Sequence, residues 1–431
     1  MLFFFRIKFM DRSIARLSFA GCVGLWVWFF WLFSAIANGE SVMTVDRAVR
    51  EALEKNPEMQ AARNRIAEAE ARARTVGRLV NPELDMEIAG GRDAEGRVEL
   101  GIMQRFPLTS RLRLERVLSG MDIEIARAEI RNQERLLETS VRSAFYELVF
   151  VRAAQTMGHK QVDVAKTFAK LLDEAAKEGF GSMLDGQQAE LVASILQAQI
   201  ELLATDEVRA VGRLNSLLGR PAEGVLLINE KLNFPNQVPA QRGLGTRADL
   251  QLAELLVQAG AKHISLAQAS RWEDVGVGIF VEGERFTDEP EGIEPEVLAG
   301  VRFSIPLPIW QNGEGKVAEK SALHKRLEQE LAGLQQSASN EVAMTYRVLT
   351  IRHRVARELT DKMVPLAQQQ VETAEAAYQR GELAIENVFR ARERVVETES
   401  AALEARKNYF LSYVEWQAAF GSTHATGAIR K

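Results

Sequence analysis

Between Glu296 and Glu319 the chain changes its period of hydrophobic and polar positions. Val297, Ala299, Val301, Phe303 and Ile305 fall on one face, and Leu298, Gly300, Arg302 and Ser304 on the other, which is the period of two expected of a strand with unlike faces. Pro306 and Pro308 end the strand, because proline donates nothing to a sheet ladder. Beyond them the pattern becomes helical. An earlier copy, VELGIMQRFPLTSRLRLE from Val98 to Glu115, has Val98, Leu100, Ile102 and Phe106 on one side and a Phe-Pro-Leu exit. Each copy has a partner strand upstream. Glu83–Ile88 alternates Leu84, Met86 and Ile88 against Glu83, Asp85 and Glu87 and returns through GGRDAEGR, while DVGVGIFVE (274–282) precedes the later copy. The pattern therefore predicts two β-hairpins, at 82–106 and 273–305.

Helices fill the rest. Thr44 caps AVREAL, Asn56-Pro57 interrupts it, and a second helix runs from Glu58 to about Arg78, stopped by Asn81-Pro82. From Leu112 to about Glu178 there is no proline, and Leu137, Val141, Ala144, Leu148 and Val151 follow a coiled-coil seam. Some 65 residues at about 1.5 Å each make a rod of about 100 Å. The turn EGFGSMLD (178–185) reverses it, and a return helix reaches Leu218-Gly219. Residues 220–246 form a connector with Pro221, Pro235, Pro239 and a strand-like VLLI. The plan then recurs: a short helix 247–270, the second hairpin, a rod 314–380 that Pro365 should kink, the turn RGELAIEN, and a return helix to Phe420-Gly421. Met59 to Leu250, Pro107 to Pro306, Gly179 to Gly381 and Gly219 to Gly421 are 191, 199, 202 and 202 residues apart. The step from 191 to 199 places an insertion in the acidic loop Glu282–Glu296. The expected organisation is a leader 1–37, a first unit 38–246 with its long helical hairpin at 112–219 and connector 220–246, a second unit 247–421 with its long hairpin at 314–421, and a tail 422–431.

Composition changes this picture at the N-terminus. Arg6, Lys8, Arg12 and Arg16 precede the apolar run Val23–Ile36, and Ala35-Ile36-Ala37 has the small-residue spacing of a secretory cleavage site. The run is shorter than the roughly 20 residues of a spanning helix, so export with cleavage after Ala37 is expected, and Met10 is an equally good start. Removing residues 1–37 shifts the formal charge from −5 to −8 and takes away Cys22, the only cysteine, so nucleic acid is excluded as a partner and disulfides are not expected. Over all 431 residues, 46% hydrophobic and 26% charged is a composition of globular type.

Four strands of nine or ten residues are long enough to cross a bilayer when tilted, yet four cannot close. An open edge in lipid leaves backbone groups unsatisfied, so a membrane-spanning sheet requires several chains to pool strands. The twofold plan, the RFPL and SIPLPIW exits, and the glycine turns followed by Asp185/Ala189 and Asn387/Ala391 resemble the TolC family of outer-membrane efflux channels over essentially the whole mature length. SIPLPIWQNGEGKVAEKSA is especially similar to the divalent-cation branch typified by CzcC. The resemblance implies a mainly α protein with a transmembrane β-barrel: a homotrimer whose three chains form a twelve-stranded barrel in outer-membrane lipid, continued by an α-helical coiled-coil tunnel into the periplasm. It implies a passive duct in a tripartite efflux system, supplied by a periplasmic adaptor and an inner-membrane RND-type pump, with divalent metal cations as cargo. The alternative is a periplasmic adaptor or coiled-coil assembly protein, which would carry one hairpin rather than two.

Candidate chemistry is sparse. Gly313-Glu314-Gly315-Lys316 lacks the first glycine and the final Ser/Thr of a phosphate loop. His159, His263, His324, His353 and His424 have no ligand spacing, and Met183 and Met363 are isolated. No enzyme, cofactor or metal site is expected. By resemblance, Asp185 and Tyr378 match two positions that close the tunnel tip in the family. Leu383 stands where a closing arginine is common, Asn387 and Arg390 stand where two aspartates form a ring, and Glu382 or Glu386 would substitute.

Overall fold

The computed structural model describes residues 42–90, 96–179, 181–228, 232–240, 245–288 and 292–421. The leader, the centre of the first hairpin turn and the tail from 422 lie outside the described residues. Two short helices come first, α1 (Val45–Lys55) and α2 (Pro57–Ala73), then β1 (Glu83–Gly90) and β2 (Gly96–Phe106). They lead into α3 (Arg111–Lys177) and the returning α4 (Met183–Leu217). The second half has α5 (Ala248–Ala269), β3 (Val275–Asp288), β4 (Gly292–Ser304), α6 (Glu314–Glu358), a π-helical turn (Leu359–Met363), α7 (Val364–Gln379) and α8 (Ile385–Phe420).

The strands form one antiparallel sheet in the order β1-β2-β3-β4. Leu100 lies between Met86 and Val281, and Ile102 between Leu84 and Ile279, which in turn faces Val301. The apolar positions of all four strands therefore share one face, and most of them are solvent-exposed in the single chain. The other face carries Glu87, Glu99 and Glu282 in one row and Asp85, Gly101, Phe280 and Gly300 in the next. The stretch expected as an acidic loop is partly sheet: Glu284 pairs with Glu296 and Arg285 with Pro295, so the insertion lengthens β3 and β4.

α3 is 67 residues long, or about 100 Å at 1.5 Å per residue, and Gly120 and Gly158 do not interrupt it. It packs against α4 along its return and against α8 of the second hairpin. The seam closes as its spacing requires: Val141, Ala144 and Leu148 are fully buried beside Phe145, Leu214, Leu349, Tyr409 and Phe410, a core at the waist of the molecule to which α1 contributes Ala48 and Ala52. Pro365 does not break its rod. The helix instead widens into the π turn just before it, which accommodates the proline's missing donor and its ring. Val225–Ile228 is not a strand; Met43 N donates to Leu227 O at 2.7 Å and Leu226 is buried, but no ladder forms.

The waist is fastened at helix ends. Asn56 Oδ1 accepts from Glu58 N (2.9 Å) and Met59 N (3.1 Å), capping α2, while its Nδ2 donates to Leu217 O (3.0 Å) at the end of α4. Arg220 grips Glu51 of α1 through Nε (2.8 Å) and Nη2 (2.6 Å). Arg247, buried before α5, reaches Asp249, Glu341 of α6 and Ala419 O of α8.

Removal of a capping oxygen costs about 1 kcal/mol and an orphaned buried group adds about 1–3 kcal/mol. Asn56→Ala is expected to lower the thermal midpoint in detergent followed by circular dichroism, and Asn56→Asp, which keeps the cap and loses only the donor, to lower it less. Equal loss in both variants would mean that the cap contributes nothing. Acid sensitivity follows from Glu51. The hydrogen bond from Arg220 chiefly lowers its pKa below the ordinary 4.5, against the opposing effect of burial. A lowered carboxyl stabilises fully above the unfolded value and loses that contribution as pH falls through the folded value. Arg220→Gln should therefore destabilise the protein at neutral pH and flatten the decline below pH 4.5. An unchanged acid limb would remove the pair from the account.

Candidate functional site

The far end of the helical hairpins lies about 100 Å of helix from the sheet. α7 ends in a Schellman turn, with Gly381 N donating to Tyr378 O (2.9 Å) and Glu382 N to Ala377 O (3.0 Å); Gly381 has φ +73°, where a side chain would be strained. α4 is capped by Ser182, whose Oγ accepts from Leu184 N at 3.2 Å. The two tips lie side by side, because Phe168 and Leu172 of α3, Ala189 of α4 and Ile385 and Val388 of α8 form one buried cluster, with Tyr378 packed against it.

Asp185 is half-buried in the first turn of α4, where the positive end of the helix dipole favours a carboxylate. Among the described residues neither its carboxylate nor the Tyr378 hydroxyl has a side-chain hydrogen bond within the chain, so a single chain does not join them. Glu382 is held by Arg380 at 2.8 Å. Glu386 and Arg390 are exposed on α8 and line a groove of about 1580 Å³ between the hairpins, and Asn387 is half-buried.

Two clusters went unread in the sequence. Above the tip, Arg392 of α8 pairs with Glu375 of α7 at 2.5 Å and stacks over the Phe168 ring at 4.0 Å, and Phe168 meets Phe389 edge-on at 5.7 Å. This joins the two hairpins of one chain. Glu399 adds a second link, accepting from Gln161 and Gln368 at 3.0 Å each. In the sheet, the cross-strand neighbours Glu99 and Glu282 would repel, but Arg97 reaches Glu282 (2.6 Å) and Glu99 (3.4 Å), and Arg302 reaches Glu99 (2.5 Å). Glu99 is almost covered, at 3% side-chain exposure, whereas Arg97 and Arg302 keep 39% and 40%. Phe280 lies across Gly300, where a Cβ would sit 2.5 Å from the ring, and Arg302 stacks on it at 5.0 Å. The strand pattern put Glu99 and Arg302 on one face, but only register shows which charges meet.

This architecture has close structural counterparts. VceC from Vibrio cholerae matches with a TM-score of 0.70 at 20% identity, covering 88% of this chain and 96% of that one. CusC matches with a TM-score of 0.72 at 17% identity, covering 88% and 92%, and the open-state MtrE outer membrane channel of Neisseria gonorrhoeae with 0.68 at 15%, covering 88% and 89%. At such identities these likenesses show the fold. In sequence, the multidrug resistance outer membrane protein MdtQ of Escherichia coli is 25% identical over 62% of this chain and 62% of its own length, so the chain aligns with less than two thirds of that relative. The profile of the family described as Outer membrane efflux protein matches residues 48–220 and 240–422, nearly all of the helices and strands described above, and the chain belongs to that family.

Proposed function

We propose that this protein is the passive outer-membrane duct of a tripartite efflux system, assembled from three copies whose strands form a twelve-stranded barrel and whose helices form the periplasmic tunnel. One observation carries the reading: a four-stranded sheet with a continuous exposed apolar face and a charged opposite face leads directly into helices of about 100 Å. The two edges, β1 and β4, have no further partner among the described strands, and lipid does not tolerate such edges. In this reading the units 38–246 and 247–421 are related copies, residues 1–37 are an export signal, and the barrel receives cargo from an inner-membrane RND-type pump through a periplasmic adaptor. Leu84, Met86, Ile88, Val98, Leu100, Ile102, Val275, Val277, Ile279, Ala299, Val301 and Phe303 face lipid. Glu83, Asp85, Glu87, Glu99 and Arg302 face the lumen, and the β3–β4 connection within Glu284–Glu296 faces the exterior.

The cargo has two readings. The stretch SIPLPIWQNGEGKVAEKSA supports divalent cations, whereas the multidrug name of the MdtQ relatives supports a wider range of small molecules. Resistance to zinc, cobalt and cadmium salts against resistance to lipophilic drugs, measured in a deletion strain with and without the gene, separates them.

Labelling tests the barrel. In a Cys22→Ser background, Asp85→Cys is expected to react with water-soluble maleimides and Ile279→Cys only with lipid-soluble ones; the reverse pattern would overturn the assignment of faces. Conductance tests the gate, for which we take Asp185 and Tyr378 of neighbouring hairpins as a charge-assisted contact worth about 1.5–3 kcal/mol. Asp185→Ala with Tyr378→Phe should raise the conductance of the isolated trimer in planar bilayers and leave assembly intact. Unchanged conductance would move the gate to Glu382, Glu386 and Arg390, or mean that the channel does not rest closed.

A further inference from the structure

The apolar face of β4 does not stop where the sheet stops. Pairing ends at Ser304, yet the alternation of exposure continues beyond it: Ile305, Leu307 and Ile309 are exposed, with Pro306 and Pro308 less so between them. Trp310, at 91% exposure, follows. No charged residue occurs from Phe303 to Gln311. Backbone polarity is reduced as well, because two of these residues are prolines and Ile309 N donates to Leu307 O at 2.8 Å.

Length gives this extension a purpose. On the outward face the charged Arg285, beside Pro295, marks the distal limit of the apolar band. From Val297 to Phe303 is about 20 Å of strand at about 3.3 Å per residue, or about 14 Å of depth at a tilt of about 45°, against an apolar band of about 25 Å. Continuing to Leu307, where the turn closed by Ile309 N begins, gives about 33 Å, or about 23 Å of depth at the same tilt. The other strands end similarly at this edge, with Leu79 and Val80 before β1, Leu108 after β2 and Trp272 before β3 all exposed. Arg78 and Arg271, each exposed, are adjacent in sequence to this apolar set, as cationic side chains flanking an apolar band commonly are.

Resting on the barrel reading above, we propose that Ile305–Trp310 is a membrane anchor outside the barrel: an extended segment sunk in the periplasmic leaflet, with Trp310 at the phospholipid headgroups, that completes the hydrophobic height β4 lacks. Its occupant is phospholipid, in continuity with the lipid face of the sheet. Two other occupants, the edge of a neighbouring copy and a periplasmic protein, are outcomes of the test.

The full protein is reconstituted in phosphatidylcholine vesicles whose acyl chains carry bromine either near the headgroup or near the chain end, and tryptophan emission is compared with that of Trp310→Phe. The emission that Trp310→Phe removes should be quenched by shallow bromine roughly twofold more than by deep bromine, as expected of an interfacial indole. Ile279→Trp in a Trp272→Phe/Trp310→Phe background is the control, and should be quenched most by deep bromine. Emission from Trp310 that resists both bromines, whether open to acrylamide or shielded from it by protein, overturns the anchor while a quenched Ile279→Trp keeps the barrel. If neither position is quenched, both readings fall.

Discussion

Backbone hydrogen bonding in lipid is the constraint on which the rest depends. A strand that leaves water must find partners for every N–H and C=O, and one chain supplies only four strands with two free edges. In the proposed duct these edges require several copies, whose strands pool into one barrel and whose helices continue it. α3, running unbroken from Arg111 to Lys177, does this without any polar backbone group exposed along its middle.

The waist and the tip are stabilised by different means. At the waist, apolar burial around Tyr409, Phe410 and Leu148 is reinforced by helix-end fasteners such as Asn56, Arg220 and Arg247. At the tip the buried cluster is small, and the hairpins are held by Arg392 on Glu375 and Phe168. A region with few buried apolar contacts opens at lower free energy than the core, so the tip is expected to open before the waist.

What the sequence revealed follows from the range of the interactions. Period-two alternation in Glu83–Ile88 and Val297–Ile305 located the strands and their faces, and the 4-3 spacing of Leu137–Val151 located the rod, because these patterns depend on near neighbours. The Arg97–Glu99–Glu282–Arg302 group and the Arg392 clamp join residues from distant segments, so no local pattern announces them. The proline of the second rod marks a local change of helical hydrogen bonding, the π turn just before it. One local reading failed for a physical reason. The acidic composition of Glu284–Glu296 predicted a loop, but pairing with the opposite strand overrides polarity. The tip residues Asp185 and Tyr378 came from resemblance and not from spacing, and among the described residues of one chain neither has a side-chain hydrogen bond to reveal a role.

The π turn at Leu359–Met363 has an effect on phase. One residue added to a helix advances everything beyond it by about 100° around the axis. The stripe that α6 turns towards α5 and α8 is therefore offset in α7, whose main partner is α8. A single rod thus behaves as two gears cut at different settings on one shaft: the upper half meshes with α5 and α8, and the lower half chiefly with α8 in the hairpin that ends at the tip.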